Sequence, residues 1–309
     1  MATIGFLDSA SPISRGDELD SFFEGLASAG VTGQNAMILY AWANNDYSLL
    51  PNLVQQLISS NVDVIVAAGG PVSALAAKNA TSTKPIVFTT VTDPVASGLV
   101  QSLNAPGGNL TGSWGHTTEL DEPRLRAICD LTGTGAIGIL TNPNRPIPTS
   151  ANAILQQNNI NAKGAKFQRP FVIVDAANDS EIDGAFATFN GQVAGLLVTA
   201  DPFFNSRRER VIDLAASLGV PAIYQWSGFV ADGGLMSYGP KKEDGYFNAG
   251  QLAGQIINGA QPASLPVRDT NSFKLVINDA TAGSLNLNSS LFATMIQNLG
   301  VSPANIEHV

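Results

Sequence analysis

The feature that most constrains the fold of this chain is a pattern of short apolar segments that occurs twice. Segments rich in valine and isoleucine alternate with longer amphipathic stretches, which is typical of strand–helix–strand units on a parallel sheet. The first five apolar segments lie at 3–9, 35–42, 63–69, 85–91 and 110–115. Helical periodicity between them predicts helices over 17–29, 49–59 and 72–80.

The pattern begins again near residue 136. The second set of apolar segments lies at 136–142, 171–176, 195–202, 221–226 and 234–239. The sequence GLLVTADP in the second set corresponds to DVIVAAGGP in the first, and GVPAIYQW corresponds to KPIVFTTV. An internal repeat of this kind predicts an α/β protein with two doubly wound parallel-sheet lobes, whereas a single dinucleotide-binding domain would not repeat itself.

The carboxy-terminal part predicts how the two lobes are connected. One more helix is expected over 244–258, then a proline-rich link, then a last strand over 273–278. The chain is expected to cross between the lobes near 113–118, 237–241 and 265–272. The expected lobes are 1–115 with 240–268, and 116–239 with 269–309. Three crossovers form a hinge, and a hinge predicts a cleft that closes on a ligand.

Composition excludes several classes of function. A net charge of −9 disfavours nucleic acid and anionic lipid surfaces as partners. Cys129 is the only cysteine, and His116 and His308 are the only histidines, so neither a metal site nor a Ser-His-Asp triad is expected. The sequence therefore predicts no cofactor and no catalysis. No apolar stretch approaches the roughly 20 residues that span a bilayer, so no direct membrane insertion is expected.

Four segments carry a resemblance to a known family. They are PIVFTTVTDPVASGLVQSLNAPGGNLTG (85–112), LVTADPFFNSRRERVIDLAASLGVPAIY (197–224), GGLMSYGPKKEDGYFNAGQLAGQIINGAQPASLPV (233–267) and FKLVIND (273–279). With these segments the chain resembles the ABC transporter substrate-binding proteins of the TrpX type, which include a tryptophan-binding component and have the type I periplasmic-binding fold. Many members place a Thr-Pro-Ala-type sequence after the third strand. This chain has Gly69 to Ser73 there, so hydroxyl contacts at position 70 are not carried over.

The resemblance implies a role in transport. It implies a small-molecule solute as ligand, an ABC transporter permease as partner, and a periplasmic or extracytoplasmic location. Met1 to Thr3 lead directly into the first strand, so that location implies that a signal sequence has been removed. The chain is expected to act as a monomer.

The repeat also nominates a ligand-binding site, because ligands of open α/β sheets bind beyond the carboxyl ends of the strands. In the first lobe the candidates are Ser9, Ala10, Gly70, Pro71, Val72, Ser73, Asp93 and Trp114. In the second lobe they are Asn142, Asp201, Phe203, Tyr224 and Trp226.

Two kinds of turn among these candidates have a charge preference. Gly69-Gly70-Pro71 leads into a helix whose first turn offers the N–H groups of Val72, Ser73 and Ala74, which favours a carboxylate. The alternative is that the glycines only form a tight turn. Asp93-Pro94 and Asp201-Pro202 have the pattern of a helix N-cap followed by proline. Either aspartate could also bind a ligand ammonium.

The aromatic candidates favour a planar ligand. Trp114 is expected at the first crossover, Tyr224 and Trp226 at a strand end, and Phe203 in a loop that opens a helix. Packing at the hinge or between lobes is the alternative, and His116 is expected to be structural. The sequence thus predicts a binding protein for a small carboxylate-bearing solute, such as an amino acid or an aromatic acid. A cytosolic or periplasmic ligand sensor, or a repressor-type effector domain, is the alternative, and a helix-turn-helix segment would identify the repressor type.

Overall fold

The computed structural model describes residues 1–14, 16–116, 120–143, 167–270 and 273–309. The chain divides into two compact units, Met1–His116 with Lys242–Asn271 (unit 1) and Thr117–Lys241 with Ser272–Val309 (unit 2). It therefore passes from one unit to the other three times. The predicted crossovers near 113–118 and 265–272 lie partly outside the described residues.

The helices and strands alternate along most of the chain. The strands are β1 (Ala2–Asp8), β2 (Ala36–Trp42), β3 (Val64–Ala68), β4 (Ile86–Thr90), β5 (Leu110–Trp114), β6 (Ala136–Thr141), β7 (Phe171–Asp175), β8 (Val193–Val198), β9 (Ala222–Tyr224), β10 (Met236–Pro240), β11 (Arg268–Asp269), β12 (Phe273–Ile277) and β13 (Ile306–His308). The α-helices are α1 (Gly16–Ser28), α2 (Leu50–Ser59), α3 (Pro71–Ala80), α4 (Asp121–Thr132), α5 (Asp179–Phe189), α6 (Pro202–Ser206), α7 (Arg208–Leu218), α8 (Ser227–Ala231), α9 (Lys242–Ile257), α10 (Asp279–Ser284) and α11 (Ser289–Leu299).

Each unit is built on its own sheet. The strand order in unit 1 is β11-β5-β4-β3-β1-β2, and every neighbouring pair is parallel. The order in unit 2 is β13-β12-β10-β9-β8-β6-β7. The series β2-β1-β3-β4-β5 thus recurs as β7-β6-β8-β9-β10. The predicted fold class, two doubly wound parallel-sheet lobes, is confirmed.

One strand departs from the parallel arrangement. The last predicted strand forms as β12, but it pairs antiparallel with β10. Phe273, where β12 begins, pairs with Pro240, where β10 ends. Because the chain enters this sheet at the edge where β10 leaves it, β12 has to run in the opposite direction.

The return of the chain to unit 1 depends on close helix packing. Helix α9 lies against α1, and glycines stand at the closest points. A Cβ on Gly25 would collide with the carbonyl oxygen of Phe247, and a Cβ on Gly250 would collide with that of Phe22. Tyr246, Ala249 and other buried residues of α9 complete the apolar core on this face of the sheet.

Unit 2 has a core of the same kind. Ile128 of α4, Leu197 of β8, Ile223 of β9 and Met295 of α11 are among its fully buried members. The start of α4 is fixed by Arg124, whose side chain is completely buried. Its Nε donates to the carbonyl oxygen of Tyr238 at 2.7 Å, and its Nη1 donates to Asp121 Oδ1 at 2.8 Å. No helix in the described part of the chain has the length and apolarity needed to cross a membrane.

Candidate ligand-binding site

The turn between β3 and α3 in unit 1 is formed by two glycines with positive φ. Gly69 has a φ of 80° and Gly70 a φ of 100°, a region that favours glycine over other residues. A Cβ on Gly69 would also collide with the side chains of Asp8 and Ser9. The backbone of β3 therefore approaches the end of β1 more closely than any other residue would allow.

The end of β1 supports this turn. The hydroxyl of Ser9 is buried and donates to the carbonyl oxygen of Gly69 at 2.8 Å. The carboxylate of Asp8 accepts from the Ala10 N–H at 2.8 Å and from the Tyr246 hydroxyl at 3.3 Å. Ser9 and Ala10 thus lie at the predicted position, where they hold the turn in place.

The first turn of α3 leaves hydrogen-bond donors available. Gly70 is the N-cap and provides no side chain, while Pro71 occupies the first helical position. The Ala74 N–H already donates to the Gly70 carbonyl at 3.4 Å, so its predicted availability is wrong. The N–H groups of Val72 and Ser73 have no acceptor among the described residues.

The side chain of Ser73 adds a further donor to the same turn. Ser73 is completely buried, and within the described ranges its Oγ has no hydrogen-bond partner. Buried hydroxyl groups are nearly always paired with protein, water or ligand. Together with the two N–H groups, this hydroxyl forms a compact set of donors, which we call the anion seat (Val72 and Ser73 N–H, Ser73 Oγ). Such a set is suited to a carboxylate.

The corresponding turn in unit 2 follows β8 and is closed by its own side chain. Asp201 is the N-cap of α6, and its Oδ1 accepts from the Phe203 N–H at 2.8 Å. The same oxygen accepts from the Asn142 amide at 3.0 Å, and Asn142 follows the end of β6. The predicted capping by Asp201 is present, and its carboxyl group is buried in this turn.

Asp93 differs from Asp201 in what it caps. Its Oδ1 accepts from the N–H groups of Val95 and Ala96, at 2.8 and 3.1 Å. The predicted helix after Pro94 is absent, because the chain makes one turn and then bends at Gly98, whose φ is 70°. Asp93 therefore caps a turn, and the helix assigned to it is wrong.

The aromatic candidate of unit 1 lies at the end of β5. Trp114 is buried, and its ring stacks on the imidazole of His116 with centroids 3.6 Å apart. His116 forms an ion pair with Asp269, and the Trp114 carbonyl accepts from the N–H and the hydroxyl of Thr270, each at 3.1 Å. Trp114 Nε1 has no partner in the part of the chain that the structure describes. His116 thus contacts Trp114 and Asp269, and its structural role stays a prediction.

The aromatic candidates of unit 2 have different surroundings. The Tyr224 ring stacks on Phe229 with centroids 4.5 Å apart, and burial raises the pKa of its phenol. Trp226 is buried at the N-terminus of α8. Phe203 is buried beside α7, with the Arg207 guanidinium 4.8 Å from its ring centroid. Tyr224 therefore belongs to the core of its own unit, whereas Trp226 lies two residues beyond β9 and is the N-cap of α8.

The sequence interpretation missed Gln225, which lies between these two aromatic residues. Gln225 is completely buried, and neither Oε1 nor Nε2 has a hydrogen-bond partner among the described residues. The sequence signal that could have identified Gln225 is a polar residue between two aromatic residues after a strand. Across the described ranges, no group of three or more His, Cys, Asp or Glu side chains is arranged to hold a metal ion.

Known proteins are similar to this chain over most of its length. Residues 10–291 match the family described as ABC transporter substrate binding protein. A tyrosine-binding protein of Clostridioides difficile is 30% identical over 256 residues, which cover 82% of this chain and 72% of that protein.

Two solved structures are also similar. One is an ABC domain from Streptococcus pneumonia in complex with L-Trp, with a TM-score of 0.82 and 25% identity, covering 94% of this chain and 97% of that one. The other is a substrate binding protein with adhesive properties from Clostridium difficile, in its ligand-free, open structure. Its TM-score is 0.66 at 25% identity, covering 100% of this chain and 99% of that one.

Proposed function

This chain belongs to the family of ABC transporter substrate-binding proteins, and from that premise we propose that it binds an aromatic amino acid and presents it to an ABC transporter permease. The related proteins include one named for tyrosine and one crystallised with L-Trp. Within this chain, the support comes from the turn after β3 in unit 1 and the turn after β8 in unit 2.

The observation that carries the proposal is the opposite charge preference of these turns. The anion seat in unit 1 offers donors to a carboxylate, including the buried hydroxyl of Ser73. The turn in unit 2 holds the buried carboxylate of Asp201, which favours an ammonium group. A free amino acid carries both charges on neighbouring groups, so each turn suits one of its two charged groups.

The aromatic residues support a planar side chain on the ligand. Trp114 and Trp226 lie at strand ends, and Trp114 Nε1 has no partner within the described ranges. Stacking of a ligand ring on tryptophan is favourable beyond the area that it buries. We infer that Trp114, Trp226 and Phe203 contact the ring of the ligand. The anion seat of Val72 and Ser73 would hold its carboxylate, with Gly70 and Pro71 beside it.

The hinge that the sequence predicts from three crossovers would make ligand binding and closure a single event. A ligand that contacts both units stabilises the closed state by its difference in affinity between the two states. The radius of gyration, measured by small-angle X-ray scattering, is therefore expected to fall when ligand is added. An unchanged radius would contradict this mechanism.

The remaining properties follow from the transport role. We propose a monomer that works in the periplasm or another extracytoplasmic compartment and catalyses no reaction. The net charge of −9 argues against nucleic acid as a partner.

Isothermal titration calorimetry tests the proposed ligand class. L-Tyrosine and L-tryptophan should bind tightly. Tyramine, which lacks the carboxylate, and 3-(4-hydroxyphenyl)propionate, which lacks the ammonium, should each bind at least about tenfold more weakly, because each leaves one turn without its charged partner. Tight binding of glucose together with no response to any aromatic amino acid would refute the proposal.

A further inference from the structure

The buried amide of Gln225 is the most unusual polar group in unit 2. It directly follows β9, which lies between β8 and β10 in the middle of the sheet. Its side chain is completely buried, yet both polar atoms of the amide lack a partner among the described residues. Leaving a buried donor and a buried acceptor unpaired is costly, so such groups are rare in native proteins and call for a function.

The backbone around Gln225 is tightly enclosed. A Cβ on Gly239 would collide with the carbonyl oxygen of Gln225 and would lie 3.3 Å from Arg124 Nη2. The peptide of Gln225 is thus held against the end of β10, where Arg124 also donates to the Tyr238 carbonyl. The backbone that carries the Gln225 amide is therefore held in place, and precise recognition of a ligand group requires such a fixed position.

The Gln225 amide has one donor group and one acceptor atom, which limits the ligand groups that can pair with both. An ammonium group only donates and would pair Oε1 alone, whereas a carboxylate only accepts and would pair Nε2 alone. An indole N–H also donates only. A phenolic hydroxyl both donates and accepts, so it can pair both atoms of the amide.

We propose that Gln225 binds the ring hydroxyl of the ligand and makes this protein selective for tyrosine over phenylalanine. This inference rests on the proposed function, in which the anion seat takes the carboxylate and Asp201 attracts the ammonium. The phenol is then the one polar group of tyrosine that remains. In the chain, Gln225 directly precedes Trp226, the residue assigned to the ligand ring.

A substitution that removes the amide but keeps its length provides the test. Gln225→Met has a similar shape and no strong hydrogen-bonding group. Binding of L-tyrosine should weaken by about tenfold to a hundredfold, while binding of L-phenylalanine should stay within about threefold. The free protein should melt about 2–4 °C higher, since an unpaired buried amide has been removed. Gln297→Met, on the exposed face of α11, is the matched control and should change neither quantity.

The outcomes separate this inference from the proposed function. If wild-type protein binds none of the aromatic amino acids, the proposed function fails. If it binds them but Gln225→Met weakens tyrosine and phenylalanine equally, the amide contacts the shared main-chain groups and the selectivity is refuted. A lower melting temperature of the free variant would show that Gln225 has a structural role, which also overturns the proposal.

Discussion

The turn after β3 in unit 1 and the turn after β8 in unit 2 occupy the same position in two sheets of the same strand order, yet they differ in charge. Both continue into a helix that begins with proline. Unit 1 has Gly70 as the N-cap and leaves the helix donors open, whereas unit 2 has Asp201 and fills them with a carboxylate. The two turns therefore differ at the N-cap, where one has no side chain and the other has a carboxyl group.

Under the proposed function, this difference would suit a repeated fold to an asymmetric ligand. Two identical halves would present the same groups and would suit a symmetric molecule. One turn has donors and the other has a buried carboxylate, so under the proposed function each turn suits one charged group of an amino acid. The substitutions below test whether each turn has the charge preference assigned to it.

The largest effect is expected at Asp201. Asp201→Ala removes the N-cap of α6 and leaves the Asn142 amide without this acceptor, so the free energy of unfolding should fall by about 2–4 kcal/mol. Asp201→Asn keeps an acceptor at the cap and should cost about 1 kcal/mol of stability. It removes the charge, however, so binding of L-tyrosine should weaken by about 2–4 kcal/mol. Urea unfolding and calorimetry measure the two quantities.

A ligand without an ammonium group is the control for Asp201. Binding of 3-(4-hydroxyphenyl)propionate should be about the same in the wild type and in Asp201→Asn. If this acid loses as much affinity as L-tyrosine does, Asp201 acts only as a helix cap and the charge comparison between the two turns is wrong.

The second prediction concerns Trp226. Trp226→Ala should weaken binding of tyrosine and tryptophan by about 1–3 kcal/mol, the range expected for the loss of a stacked ring and its buried area. Trp42→Ala is the matched control, because Trp42 lies on the edge strand of unit 1 and packs against Phe6 and Tyr40. The control should leave affinity unchanged. Loss of a cooperative melting transition in Trp226→Ala would show that this ring belongs to the core of unit 2.

Much of the fold was predictable from the sequence, because the pattern that indicates each strand or helix lies within a short segment. Apolar periodicity identifies strands, and parallel strands joined by helices leave few possible orders, so the repeat at residue 136 predicts both sheets. The antiparallel pairing of β12 was not predictable, since it depends on the edge at which the chain re-enters unit 2. The turn after Asp93 was also not predictable, because Asp-Pro begins a single turn as readily as a helix and Gly98 ends it.

The candidate site was predictable only as positions, not as contacts. Strand ends gave Gly70, Ser73 and Asp201, because the ends of parallel strands share one edge of a sheet. The role of Gln225 required coordinates, since a lone glutamine has no pattern in the sequence and its lack of partners is a property of the packed state. For the same reason the ring of Tyr224, assigned to the ligand site, stacks on Phe229.

The third prediction is a smaller effect in the anion seat. Ser73→Ala removes a buried hydroxyl that has no partner within the described ranges, so stability should stay the same or rise slightly. Binding of L-tyrosine should weaken by about 1 kcal/mol, the usual contribution of one hydrogen bond. Binding of tyramine, which lacks the carboxylate, should not change. Equal losses for both ligands would place the carboxylate elsewhere.

The smallest effect is expected on the free energy of unfolding in alkaline solution, and it comes from one tyrosine in each unit. Burial raises the pKa of Tyr224 in unit 2, which is 1% exposed, and also that of Tyr40 in unit 1, which is 44% exposed. A phenol whose pKa is higher in the folded state keeps its proton there, while the unfolded chain releases it near the ordinary value of about 10. The stabilising contribution is thus complete below about pH 10 and is lost as the pH rises above it.

The two phenylalanine variants separate these contributions. Tyr224→Phe should change the free energy of unfolding at neutral pH by less than about 1 kcal/mol, and it should reduce the loss of stability between about pH 8 and about pH 11. Tyr40→Phe should reduce that loss less. The Tyr40 phenolate is half-exposed and still hydrated by water, so burial penalises its charged form less than it penalises that of Tyr224. Urea unfolding at a series of pH values measures both slopes. If Tyr40→Phe had the larger effect, Tyr224 would not be the more deeply buried phenol, and its ring would again be available to a ligand.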